Sequence, residues 1–129
     1  MVPIVPSVKD GQRGVILVER SNTNGLAFPG GFAEDSDNGW EHALCRELQE
    51  ETGIVLPPTD WEVFGLGTAT VGNYLIFCEY LGPVFEWDGE SVPENRETKR
   101  KIFASSPTDL CFPTHTEQLK KYLSESGGN

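Results

Sequence analysis

Apolar residues fall along this chain in short bursts with two different rhythms. The run from Gly14 to Glu19, Gly-Val-Ile-Leu-Val-Glu, is compact and apolar, which predicts a strand buried on both faces. Val2 to Val8 sets two prolines among β-branched residues. Proline cannot donate to a ladder, so this stretch suits an edge strand. Trp61 to Val71 and Asn73 to Leu81 predict two more strands, with a hairpin at Gly72-Asn73. Gly65 and Gly67 interrupt the first of them and mark a bulge or a place where something packs closely. Ile102 to Ser105 reads as a short final strand.

Two stretches change to the helical period. Trp40, Ala43, Leu44 and Leu48 recur at helical intervals, Asn38 followed by Glu41 has capping-box spacing, and Gly53 suits a C-terminal cap. Thr114 with Glu117 forms a second capping box, opening a helix through Leu119, Tyr122 and Leu123, with a frayed tail expected from Ser124 to Asn129. Turn chemistry fills Ser21 to Gly25, Pro57-Pro58 ends regular structure after the first helix, and Phe85 to Arg100 is irregular and polar. Strands flanking a central helix, with a second helix at the end, imply an α/β domain whose mixed sheet lies between helices.

Composition narrows the function classes. A chain of 129 residues is one domain, large enough to bury a core without disulfides. The net charge of −10 argues against a nucleic-acid polymer as partner, because phosphate backbones are bound by Lys/Arg surfaces. A small nucleotide is still admissible, its charge met by metal ions and a few basic side chains. Cys45, Cys78 and Cys111 are widely spaced and read as reduced thiols rather than a zinc or disulfide framework. With no signal peptide and no apolar run of membrane-spanning length, a soluble cytoplasmic protein is expected, monomeric or homodimeric.

The central helix has its carboxylates in the wrong place for solubility. At about 100° per residue, Glu47 and Glu51 share the stripe of Trp40 and Leu44, with Glu50 at its margin beside Ala43. His42 and Gln49 hold the opposite face. The acids also crowd the last turns, where the helix dipole disfavours negative charge, and burial would raise their pKa values. A hard divalent cation reverses that cost, since carboxylate oxygens are what Mg²⁺ or Mn²⁺ prefers.

The segment Pro29-Gly30-Gly31, followed fifteen residues later by Arg46-Glu47-Leu48-Gln49-Glu50-Glu51-Thr52-Gly53-Ile54, resembles the Nudix box, G-x5-E-x7-R-E-U-x-E-E-x-G-U with U aliphatic. Gly31 matches the opening glycine, and the second half matches at seven of the nine positions from Arg46 to Ile54, all that the pattern fixes. The first half is one residue long. Counting forward from Gly31 puts the first box glutamate at Asp37, and counting back from Arg46 puts it at Asn38, so the loop 34–38 carries an insertion.

The resemblance implies an α/β/α Nudix sandwich and hydrolysis of a phosphoanhydride in a nucleoside diphosphate linked to X, such as a nucleoside triphosphate or ADP-ribose. It implies Mg²⁺ or Mn²⁺ held by Glu47, Glu50, Glu51 and the Gly31 carbonyl, with Arg46 orienting a glutamate by a charge-assisted hydrogen bond. The general base is a box glutamate or a carboxylate from 86–97, a stretch that also offers a distal metal ligand. Arg20 and Phe28 are the substrate-facing candidates, although Arg20 also suits a solvated strand end. The altered loop keeps a second reading open: a Nudix-like module that senses nucleotide or binds protein without turnover.

Overall fold

The computed structural model describes residues 1–22, 25–31, 36–68 and 74–126. The apolar run at Gly14 forms the middle of β3 (Gln12–Arg20). Its side chains alternate between two cores. Val15 and Leu17 enter a cluster with Phe28, Phe77, Leu119 and Tyr122, while Ile16 enters another with Val5, Leu48 and Ile54. A strand with apolar contacts on both faces must be apolar at every position, which is why this run shows no alternation.

Around β3 a five-stranded sheet assembles with β2 (Pro6–Lys9), β4 (Leu26–Ala27), β7 (Phe85–Glu86) and β8 (Thr98–Ala104). Val15 pairs with both Pro6 and Ala104, and Val18 with both Ala27 and Lys101. Strand β8 therefore lines one side of β3, while β2 and β4 share the other. A second sheet of three strands has the order β1 (Val2–Ile4), β6 (Tyr74–Tyr80), β5 (Trp61–Thr68). Both sheets are mixed, with β1 parallel to β6 and β2 parallel to β7 among antiparallel pairs. The single mixed sheet expected from the element order is thus two.

The N-terminal stretch is corrected accordingly. Val2 to Val8 is not one edge strand but two strands in different sheets: β1 borders the smaller sheet, and β2 lies between β3 and β7. The final strand is longer than expected, because it begins at Thr98. The expected hairpin tip at Gly72-Asn73 lies outside the described residues, but Thr68 pairs with Tyr74 on either side of it. All three cysteines are free thiols. Among the described residues no helix is long and apolar enough to cross a membrane.

Helix α1 (Trp40–Thr52) presses Leu48 onto one core, and α2 (Pro113–Ser126) presses Leu119 and Tyr122 onto the other. Neither expected capping box forms. Gly39, at φ 102°, precedes α1 with no side-chain cap, and the Asn38 amide donates to His42 Nδ1 at 3.1 Å. Trp40 is 38% exposed rather than on the buried stripe. Helix α2 starts one residue before Thr114, at Pro113, whose fixed φ suits a first helical position. It also continues to Ser126, into the stretch expected to fray.

Thr114 is used elsewhere. Its hydroxyl donates to the Thr68 carbonyl at 2.8 Å, Gln118 Nε2 donates to Leu66 at 3.5 Å, and Lys121 Nζ donates to Phe64 at 3.3 Å. These carbonyls alternate along the open edge of β5, so α2 covers the edge that would otherwise pair with another chain. The two glycines of β5 make this possible. An added Cβ at Gly65 would lie 2.3 Å from Gln118, and one at Gly67 1.9 Å from Thr114. The register also shifts between Val63 and Gly65, so bulge and close packing occur together.

Candidate metal centre

Helix α1 ends where its sequence says it should. Gly53 adopts the left-handed conformation at φ 77° and its amide donates to Gln49 at 2.9 Å. Thr52 Oγ1 donates to the Leu48 carbonyl at 2.6 Å and accepts from the Ile54 amide. The same glycine leaves room for the irregular segment before β8: a Cβ at Gly53 would stand 3.1 Å from Pro93. That segment is docked on the helix end, and it brings Glu97 to the glutamates of α1.

Carboxylate oxygens of Glu47, Glu51 and Glu97 lie within 4.8 Å of one another. Glu51 is 3% exposed and Glu47 8%; Glu97 is exposed. Glu51 is held on both oxygens, by the Gly30 amide at 3.1 Å and the Thr98 hydroxyl at 3.4 Å. Burial, reinforced by the Glu47 charge, nonetheless pushes its carboxyl up to about 8, with Gly30 opposing. Burial also raises Glu47, against the pull of Arg46. Two buried acids, Glu47 and Glu51, that resist ionisation in the absence of a counter-charge are the chemistry of a hard-cation site. Three oxygen donors of this kind fit Mg²⁺ or Mn²⁺.

Arg46 ties the helix to the loop before it. Its Nε and Nη2 donate to the two Asp37 oxygens at 2.7 and 3.0 Å, while Nη1 donates to Glu47 at 2.9 Å and to Glu50 at 3.2 Å. These partners hold the guanidinium pKa above its ordinary value, with Asp37 contributing most. Of the two positions that the box pattern left open, Asp37 is the one bonded to Arg46, and its side chain is only 2% exposed.

Three further expected site residues surround or underlie this group without belonging to it. Glu50 lies outside the group of three, its side chain 57% exposed and bonded to Arg46. The reason is angular: it sits at the margin of the buried stripe, so its carboxylate leaves the helix toward solvent. The Gly31 carbonyl accepts from the Met1 amino nitrogen at 2.9 Å. A Cβ at Gly31 would meet the Glu47 carboxylate at 2.7 Å, so any other residue there would push that carboxylate out of its present position. Phe28 is a core residue, 2% exposed and edge-on to Phe77, so its ring offers no face to a ligand.

Arg20 is half-buried rather than solvated. Its guanidinium stands 5.2 Å from the Phe112 ring, and its Nε is buried with no hydrogen-bond partner among the described residues. Phe112 in turn packs 5.0 Å from His115, whose Nδ1 accepts from the Phe28 amide. Burial first, then the Arg20 charge, lowers His115 to about 4, so the imidazole is neutral. The next amide along from Arg20, that of Ser21, donates to the Glu97 carbonyl at 2.9 Å. The backbone at Arg20 and Ser21 thus runs alongside that of Glu97 and Thr98. The sequence singled out neither Thr98 nor Asn95, which sit at the start of β8 and in the turn before it. Their one sequence signal is the Asn-x-Glu-Thr turn opening a strand.

A family model described as the NUDIX domain matches residues 2–123. An Escherichia fergusonii protein named uncharacterized Nudix hydrolase NudL is 35% identical over 68 residues, covering 49% of this chain and 34% of that protein. The chain thus spans about a third of that relative's length. The NUDIX domain of Shewanella oneidensis NrtR, solved with ADP ribose, matches at a TM-score of 0.70 and 19% identity, over 95% of this chain and 85% of that one. A bifunctional NMN adenylyltransferase/ADP ribose pyrophosphatase from Francisella tularensis, solved with AMP and manganese, matches at 0.61 and 23% identity, over 96% of this chain and 41% of that one. At these identities the two structures show likeness of fold.

Proposed function

The chain belongs to the Nudix family, and we propose that it is a metal-dependent hydrolase of a phosphoanhydride bond in a nucleoside diphosphate linked to X. The observation that carries this reading is the convergence of Glu47, Glu51 and Glu97 within 4.8 Å from two separate elements. These three residues would hold Mg²⁺ or Mn²⁺, joined by the Gly31 carbonyl and by Glu50 on rotation of its exposed side chain. When bound, the metal would neutralise phosphate oxygens and lower the pKa of a water. Arg46 keeps Glu47 aimed into the group by a direct hydrogen bond. Glu50, exposed and bonded to the arginine that also holds Glu47, is the box carboxylate assigned in this reading to take a proton from the attacking water.

Arg20 supplies the substrate-facing cation. A buried guanidinium N–H without an acceptor costs free energy that a ligand oxygen or ring nitrogen would recover, and Phe112 holds the group in place by its ring face. The substrates to test first are nucleoside triphosphates and ADP-ribose, the latter because both folds described above are tied to it.

The test is incubation with Mg²⁺ or Mn²⁺ and a panel of nucleoside triphosphates, ADP-ribose, nucleotide sugars and dinucleotides, with products identified by mass. Metal-dependent cleavage is expected from the native chain and none from Glu51→Gln. Nucleotide binding without turnover across the panel would instead establish the sensing or protein-binding module.

A further inference from the structure

Glu97 differs from the other two acids of the cluster in how it is held. Glu47 and Glu51 ride on a helix, whereas Glu97 is exposed and closes a stretch, 87–97, that has no regular secondary structure. A carboxylate on such a segment would lose backbone freedom each time it bound an ion, and that entropy cost weakens binding. Lys101 holds the middle of the segment, its Nζ donating to the Ser91 carbonyl at 2.6 Å, and one side chain orders its end. Asn95 Oδ1 accepts from the Glu97 amide at 2.9 Å and from the Thr98 amide at 2.8 Å, and its Nδ2 donates back to the Pro93 carbonyl at 2.9 Å. Pro93 is the residue that rests against Gly53 at the end of α1.

We propose that Asn95 is a positioning residue for the metal centre: its amide fixes Glu97 directly and, through Thr98, the hydroxyl that donates to Glu51. This rests on the hydrolase reading above and adds to it a residue that touches neither metal nor substrate. The residue type follows from the three bonds. The position needs an acceptor with two lone pairs, close enough to reach amides two and three residues on, and a donor on the same group. Aspartate supplies the acceptors but loses the donor and adds a negative charge next to an acidic group. Alanine supplies nothing. The Ser21 amide, bonded to the Glu97 carbonyl, pins the same peptide from the β3 side.

The test is Mn²⁺ binding to the full chain, read by the electron-paramagnetic signal of free Mn²⁺, alongside the thermal melt of the metal-free protein. Asn95→Ala should melt close to the native chain and bind Mn²⁺ about 10- to 100-fold more weakly. In a Glu97→Gln background the same substitution should cost clearly less than in the native chain, because the part of its effect that runs through Glu97 is already gone and only the Thr98–Glu51 part is left. Asn95→Asp should recover part of the affinity. Additive losses in the double variant, or unchanged affinity in Asn95→Ala, would overturn the proposal while leaving the hydrolase reading intact. A native chain that binds no Mn²⁺ would overturn both. Should Asn95→Ala not fold, amide exchange in the native chain decides: saturating Mg²⁺ should slow the Glu97 and Thr98 amides, and unchanged exchange would refute the role.

Discussion

Arg46 grips Asp37 with two parallel bonds, Nε to Oδ1 at 2.7 Å and Nη2 to Oδ2 at 3.0 Å. The pairing joins the altered loop of the box to the half that matches the pattern through a buried carboxylate. The box pattern asks for a glutamate, and the loop offers an aspartate on a backbone one residue longer. The shorter acid still reaches the arginine, and the arginine keeps a third nitrogen for Glu47 and Glu50.

Asp37→Asn should therefore weaken the site through Arg46. Each lost bond to a charged group is worth about 1.5–3 kcal/mol, so a urea titration should show a loss of that order. Metal-dependent turnover per folded molecule should fall about 10- to 100-fold. Arg46→Lys should do the same, since an ammonium cannot make paired bonds to a carboxylate. Full activity in either variant would mean that the Asp37 pairing is incidental to the centre.

Glu51 makes stability depend on pH in an unusual direction. Its ordinary value is 4.5 and burial raises it to about 8. Between those values the folded, metal-free chain keeps a proton that the unfolded chain has released. The folded state then binds more protons, so stability falls as pH rises across that window. Glu47 is raised as well and adds to the trend. Thermal melts without metal should move to lower temperature from about pH 4.5 to about pH 8. Saturating Mg²⁺ should restore most at the alkaline end, and Glu51→Gln, which stays neutral, should flatten the slope. An equally steep slope in Glu51→Gln would place its origin elsewhere.

Gly67→Ala tests the seal of α2 on the open edge of β5. The new Cβ would fall 1.9 Å from Thr114 Cγ2, and overpacking of this kind costs about 1–3 kcal/mol. Thr114→Ser in the same chain removes that methyl while keeping the hydroxyl for Thr68, and it should recover much of the loss in a chemical denaturation series. Turnover per folded molecule should not change, because this contact is not part of the acidic cluster.

Much of this protein is written locally. The stripe that carries Glu47 and Glu51 among Ala43, Leu44 and Leu48 follows from helical period alone, as does the left-handed stop at Gly53. The buried strand at Gly14 to Glu19 was legible because two apolar faces leave no polar position. Gly65 and Gly67 announced a close approach without naming what approaches. Helix starts are less legible: Asn38 and Thr114 satisfy a capping pattern, yet the Asn38 backbone amide donates to His42 and the Thr114 hydroxyl donates to Thr68.

Tertiary structure decided everything that depends on residues far apart in the chain. Glu97 is one acid among many between Phe85 and Arg100 until Pro93 docks on Gly53 and β8 pairs with β3, which sets it beside Glu51. Periodicity fixes a side chain's direction relative to its own element, so it could point Glu50 only to the margin of the stripe. Whether Asp37 or Asn38 meets Arg46, and whether Val2 to Val8 serves one sheet or two, are choices between conformations of similar local cost. They are settled by hydrogen bonds and burial that exist only once the elements have packed.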